Sequence, residues 1–138
     1  CEMVELDELF GRSDVLSLHA PLTPQTRHVV NARTLGLMKP HAIIVNTSRG
    51  PLIDHGALHQ ALQNNQIGGA GLDVFEPEPP NLADPLYADE RVIATPHIAF
   101  VSEESLVNLR ERTARQVVDA LSGRVPENVI NPQALQSR

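Results

Sequence analysis

An arginine, a glutamate and a histidine each follow a short run of β-forming residues. Arg49 closes Val45-Asn46-Thr47-Ser48-Arg49-Gly50. Glu78 lies in Gly71-Leu72-Asp73-Val74-Phe75-Glu76-Pro77-Glu78-Pro79-Pro80, and His97 in Ala94-Thr95-Pro96-His97-Ile98. A guanidinium offers a carboxylate a planar pair of donors. An imidazole kept protonated by a neighbouring carboxylate can pass a proton to a carbonyl oxygen. Together these are the groups needed to reduce a 2-keto acid. That chemistry also needs a hydride source, and the chain carries no complete nucleotide-binding pattern. Gly69-x-Gly71 is followed by Val74 where the next glycine would fall, and it leads into a strand, whereas a phosphate loop opens a helix.

Four apolar runs of strand length must position these groups: Val15 to His19, Ala42 to Asn46, Ala70 to Val74 and Val92 to Thr95. Short runs rich in Val, Ile and Leu suit strands buried on both faces. Helical patterns alternate with them. Leu6, Leu9 and Phe10 mark a short one. Asn31 caps a second carrying Leu35, Leu37 and Met38, which stops before Pro40. Asp54 caps a third that buries Ala57, Leu58, Ala61 and Leu62. Ser102 caps a long helix with Glu103 and Glu104 in its first turn and an apolar stripe of Leu106, Leu109, Thr113, Val117, Ala120 and Leu121, ended by Gly123. That stripe is expected to pack into a core. The tail from Val125 to Pro132 reads as extended. Alternating strands and helices predict an α/β fold with a parallel, Rossmann-type sheet and a long C-terminal helix. The expected division is 1–101 for the sheet-bearing part and 102–138 for the helix and tail. Ligands of such sheets bind at the carboxyl ends of the strands, where His19, Arg49, Asp73, Glu78 and His97 all fall.

Composition narrows the possibilities. The 138 residues suit one domain, 41% of them are hydrophobic, and no apolar run approaches a membrane span. A net charge of −6, no basic cluster, no Trp and only 3% aromatics argue against nucleic acid and anionic membranes as partners. The single cysteine, Cys1, excludes an internal disulfide framework, and with no secretory pattern a cytoplasmic protein is expected. The first residue is not Met and a helical pattern begins almost at once, so the chain is expected to be the C-terminal part of a longer protein whose N-terminal half is missing here.

Four motifs in order resemble the D-isomer-specific 2-hydroxyacid dehydrogenases, closest to the branch of the C-terminal-binding corepressors and phosphoglycerate dehydrogenases. They are Ser13 to Thr23, Met38-Lys39-Pro40 with Asn46 to Gly50, Leu72 to Pro79, and Thr95-Pro96-His97. The resemblance covers nearly the whole chain and implies the second half of an NAD-binding domain, with NADP not excluded as cofactor. It implies that His97 is the acid–base group, that Glu78 pairs with it, and that Arg49 binds the substrate carboxylate. It implies that Asp73 holds the nicotinamide carboxamide, that Thr47, Ser48, Arg49, His97 and Ala99 border the nicotinamide, and that His19 and Pro21 flank the adenosine. Phe100 stands where the family usually has small residues, and would line the substrate pocket with an apolar wall. The implied partners are a small 2-keto or 2-hydroxy acid and a second copy, as a homodimer of the full-length protein. The alternative from another class is an NADH-sensing binding protein like the corepressors, with little turnover.

Other signals are weaker. His55 and His59 have the i,i+4 spacing of a zinc pair, but Gly56 replaces the glutamate of that motif and no third ligand follows, so no metal is expected and the pair reads as solvent-facing. His28 and His41 read as surface residues. Asn46-Thr47-Ser48 matches the glycosylation acceptor pattern, a match that chance supplies.

Overall fold

A computed structural model describes residues 2–135. Cys1 and the last residues of the expected helix-and-tail segment, 136–138, lie outside the described residues. The chain divides into two compact units, one running to Ala99 and the other starting at Phe100.

The first unit is built on four parallel strands: β1 (Val15–Leu18), β2 (Ile43–Asn46), β3 (Gly69–Leu72) and β4 (Val92–Ala94), side by side in that order. Their register is what matters for function. Leu18, Asn46, Leu72 and Ala94 sit in one row, so all four strands end level. The residues that follow, His19, Thr47, Asp73 and Thr95, therefore leave the sheet at the same edge. This is the α/β, Rossmann-like architecture expected from the alternating pattern.

α1 (Leu6–Arg12) precedes β1, α2 (Ala32–Leu35) lies between β1 and β2, and α3 (His55–Gln63) between β2 and β3. Asn31 caps α2 in a reciprocal box with Thr34, and the Asp54 carboxylate caps α3 by accepting from the Ala57 amide at 3.0 Å. The second helix is shorter than the sequence pattern suggests: it stops at Leu35, and Leu37 and Met38 follow in a turn with only Met38 buried. Phe10, Leu35, Leu58 and Leu62 join Leu16, Leu18, Ile44 and Leu72 in one buried cluster. The expectation of strands buried on both faces is corrected here. The row opposite carries Val15, Ile43 and Ile93 with 62%, 43% and 71% of their surface exposed. The helices of this unit all contribute to the cluster on the other side.

A second correction concerns α3. His55 and His59 are half-buried and not simply solvent-facing: Nε2 of His55 and Nδ1 of His59 are buried without a hydrogen-bond partner. Burial holds the His55 imidazole below its ordinary pKa, against the pull of Glu76, Asp84 and Asp54. Among the described residues no group of three His, Cys, Asp or Glu side chains could hold a metal ion. His41 is exposed and bonded to Asp14 at 2.9 Å, whereas His28 is half-buried near Glu76.

The second unit is dominated by α4 (Glu103–Leu121). Ser102 caps it through the Ser105 amide, and the Ser105 hydroxyl returns the bond to the Ser102 amide. Gly123 ends it with φ of 74°, a left-handed conformation glycine adopts without penalty. There the Arg124 amide reaches the Asp119 carbonyl at 2.8 Å and the Gly123 amide reaches Ala120 at 3.2 Å, a Schellman closure. The tail folds back along the helix through Arg112 to Glu127 and the Asn128 amide to Gln116, both at 3.1 Å, before a short 3-10 turn at Pro132–Leu135. None of the residues of α4 is buried, so its apolar stripe does not enter a core as expected. No helix among the described residues is long and apolar enough to cross a membrane.

Leu58 is fully buried on the inner face of α3. Leu58→Ala is expected to destabilise the protein by about 2–5 kcal/mol, and Leu58→Met by less than about 1.5 kcal/mol, in urea unfolding with the denaturant slope unchanged. Equal losses for the two variants would show that packing at this site does not depend on shape.

Candidate active site

Asn46 is the last residue of β2 and is fully buried. Its side-chain Nδ2 donates to the Arg49 carbonyl at 2.9 Å, and its Oδ1 accepts from the Ser48 amide at 3.1 Å. The turn carrying Arg49 is thus folded over an asparagine side chain. This burial also removes Asn46 as a glycan acceptor. The Ser48 hydroxyl donates to the Leu18 carbonyl at 2.8 Å, tying the same turn to the end of β1. Gly50 closes it: a Cβ there would collide with the carbonyl of Phe75, so only glycine lets the two backbones meet. The Arg49 guanidinium is exposed and donates to the Ser48 carbonyl at 2.6 Å.

Phe75 opens the loop that carries Glu78. Its amide donates to Glu78 Oε1 at 2.8 Å, while Glu78 Oε2 lies 3.1 Å from His97 Nδ1. One carboxylate is therefore fixed by its own loop on one oxygen and aimed at the imidazole with the other. The Phe75 amide is the main cause holding the Glu78 carboxyl below its ordinary pKa, with His97 and Arg49 adding to it against the opposing effect of burial. The arginine, glutamate and histidine singled out from the sequence are thus within electrostatic reach of one another.

His97 has φ of 53°, a left-handed conformation that costs a non-glycine residue about 1–2 kcal/mol. Asp73 offsets that cost. It is only 3% exposed, and its carboxylate accepts from the Thr95 hydroxyl at 2.5 Å and from the amides of Ile98 and Ala99 at 3.0 and 2.8 Å. The donors flank His97 on both sides, so the turn closes around the buried acid with His97 at its crest. Burial raises the Asp73 carboxyl, but the Thr95 hydroxyl, the Ala99 and Ile98 amides and the nearby His97 outweigh it, and the net shift is downward. This demand also shortens the third strand relative to the sequence pattern: β3 ends at Leu72, the Asp73 amide still reaches the Asn46 carbonyl at 2.9 Å, and the chain then turns away.

Two open cavities mark the edge. One of about 510 Å³ lies against the ends of β1 and β2, where His19, Pro21, Ser48 and Arg49 form much of the wall. The other, about 230 Å³, is lined by Phe75, Pro79, Pro80 and Pro96 around Glu78 and His97. The structure thus brings together His19, Pro21, Ser48 and Arg49 at one place, and Glu78 and His97 at another. Thr47 is exposed at the same edge, and Ala99 serves Asp73 through its amide. Phe100 opens the second unit and is exposed. The His19 ring is turned back on its strand, 2.8 Å from the Ser17 hydroxyl. Asn46, Gly50 and Thr95 were not singled out from sequence as site residues. The signals were present: a polar residue ending an apolar strand, a glycine after the arginine, and a hydroxyl two residues before the histidine.

A parallel sheet whose carboxyl edge carries two cavities, one walled by an arginine and the other by a glutamate–histidine pair, has the layout of a nucleotide-cofactor domain. A dinucleotide fits this edge in one respect already visible: the larger cavity has a polar wall at Ser48 and Arg49 and an apolar one at Pro21 and Leu22. A family model described as the D-isomer specific 2-hydroxyacid dehydrogenase, NAD binding domain, matches residues 1–99, and the chain belongs to that family. Glyoxylate reductase of Korarchaeum cryptofilum is 42% identical over 137 residues, 99% of this chain and 41% of that protein. Among solved structures, a Thermus thermophilus protein is 41% identical with a TM-score of 0.87, over 92% of this chain and 40% of its own. D-lactate dehydrogenase of Aquifex aeolicus, solved with NAD and lactic acid, is 37% identical with a TM-score of 0.78, over 87% of this chain and 40% of its own. The chain spans about two fifths of the length of the relatives it matches.

The Asp73 carboxyl is held below its ordinary value of 3.8, so its charge stabilises the fold above that pH, and the contribution is lost as pH falls through the depressed folded value. Asp73→Asn is expected to melt at a lower temperature than the wild type at pH 7, and to lose less further stability on acidification below about pH 4. Parallel melting curves for the two proteins across that range would remove Asp73 from the acid response.

Proposed function

We propose that this chain carries the substrate-facing half of the cofactor domain of an NAD(H)-dependent dehydrogenase that interconverts a 2-keto acid and a D-2-hydroxy acid. The observation that carries the reading is the Glu78–His97 contact at 3.1 Å, with Arg49 near enough to lower the Glu78 carboxyl. The names of the relatives support it.

NADH, when bound, supplies the hydride to the substrate carbonyl carbon. The Arg49 guanidinium binds the substrate carboxylate and the adjacent carbonyl oxygen as a planar fork. With Nδ1 turned to Glu78, the imidazole of His97 gives a proton from Nε2 to the keto oxygen, and takes it back in the reverse direction. Glu78 fixes the ring through its own bond to the Phe75 amide, so the imidazole has one productive orientation. Thr47, Ser48, Asp73 and Ala99 border the nicotinamide half of the site. His19 and Pro21 border the adenosine half. Phe100 supplies an apolar wall for the substrate side chain, and the full-length protein works as a cytoplasmic homodimer.

The test follows NADH oxidation by the full-length protein against 2-keto acids from glyoxylate and hydroxypyruvate to bulky apolar ones. Turnover of at least one is expected, and tight NADH binding without turnover of any would overturn the reading in favour of a cofactor sensor. His97→Ala is expected to lower kcat by about 100-fold or more while NADH still binds, and Arg49→Lys to raise KM and lower kcat, because a point charge cannot replace a fork. Wild-type kinetics in either variant would remove that residue from the mechanism. Phe100→Gly is expected to shift the order of preference among the keto acids, and an unchanged order would place Phe100 outside the pocket.

A further inference from the structure

Arg49 is exposed and its side chain bonds only within its own turn among the contacts described above, so its placement must come from the backbone. That backbone is held chiefly by one residue. Asn46 bonds the Arg49 carbonyl and the Ser48 amide with its side chain, and the Asp73 amide with its own carbonyl. It is fully buried, so each of these bonds is made away from competing water. On one side it defines the turn that presents the guanidinium. On the other it registers that turn against the segment that leads through Asp73 and Phe75 to Glu78. The contact between Gly50 and the Phe75 backbone makes the same connection a second time.

We infer that Asn46 is the positioning residue for Arg49: its side-chain amide sets where the guanidinium stands relative to Glu78 and His97, and so determines how well the substrate carboxylate is bound. The inference rests on the dehydrogenase reading above. It predicts a specific kind of defect. Asn46→Asp keeps the acceptor for the Ser48 amide but replaces the donor facing the Arg49 carbonyl with an oxygen, so the turn is pushed open at the arginine end. A keto acid held through its carboxylate should feel this more than a dinucleotide, which meets the turn at Ser48, where the acceptor is kept.

The experiment is a double-mutant cycle in the full-length protein, using glyoxylate as substrate and oxamate as an unreactive carboxylate probe. Asn46→Asp is expected to raise the glyoxylate KM and the oxamate Kd about ten-fold, with NADH affinity within about two-fold of wild type. In an Arg49→Ala background the same substitution should add less than about two-fold, because the group it positions is already gone. A full ten-fold penalty in both backgrounds, or a loss of NADH affinity equal to the loss of oxamate affinity, would show a general structural role and overturn the inference. Should Asn46→Asp fail to fold, Asn46→Ser, which puts a shorter hydroxyl in place of the carboxamide, is read by the same cycle. A wild-type protein that reduces no keto acid would overturn the dehydrogenase reading and this inference with it. A wild type that turns over glyoxylate, combined with an additive cycle, overturns this inference alone.

Discussion

The buried carboxylate of Asp73 constrains everything built at this edge of the sheet. An ionised acid that is 3% exposed must be matched by donors, and the donors nearest to it are the Thr95 hydroxyl and the amides of Ile98 and Ala99. Collecting them forces the chain after β4 to wrap around one point, and His97 at the crest of that wrap takes a left-handed conformation. The His97 imidazole is placed by a demand for hydrogen bonds beneath it, and Glu78 then only has to meet it. Strain of this kind persists where the surroundings over-determine it, and the three donors to one carboxylate do so here.

The level ends of the strands supply the second constraint. Because Leu18, Asn46, Leu72 and Ala94 share a row, the four segments that follow start from one line and need only short turns to converge. Arg49 arrives three residues past that row on an asparagine-capped turn, Glu78 six residues past it on a longer loop, and His97 three residues past it on the Asp73 wrap. The longer loop has the greatest freedom to wander. It is also the one held most tightly where it passes its neighbours: the Phe75 amide engages Glu78, and the Phe75 backbone abuts Gly50. Position along the edge comes from the sheet, and orientation comes from the polar atoms just beyond it.

Much of this was legible in the sequence, for identifiable reasons. Strands β1 to β4 announced themselves as apolar runs, and the caps at Asn31, Asp54 and Ser102 as polar residues before helical patterns. Arg49, Glu78 and His97 could be placed at one edge because parallel strands separated by crossovers must end on the same side. What the pattern missed depended on depth or partners. The exposure of Val15, Ile43 and Ile93 cannot be read from apolar character alone, since the same residues suit a strand covered on both faces. The His55–His59 pair looked solvent-facing because spacing gives the helix face and not what the face meets. The apolar stripe of α4 is real as a pattern, but none of its residues is buried. Asn46 and Thr95 were visible yet unweighted, because a polar side chain acquires meaning only when the atoms it bonds are known.

The division of labour at this edge has a chemical consequence. In the proposed reaction Asp73 and Asn46 transfer no proton or group, yet each is buried, Asn46 holding the backbone of its own turn and Asp73 the turn around His97. The residues proposed to meet a substrate, Arg49, Glu78 and His97, are exposed. A reactive group that must lie open to a ligand gains little rigidity from its own contacts with solvent, so precision has to be supplied from below. Exposed ion pairs of the first unit, such as Arg33 with Asp7 or Arg12 with Glu8, lie in water and set no such geometry. Charge on this domain contributes to specific placement only where a buried polar atom fixes the backbone that presents it.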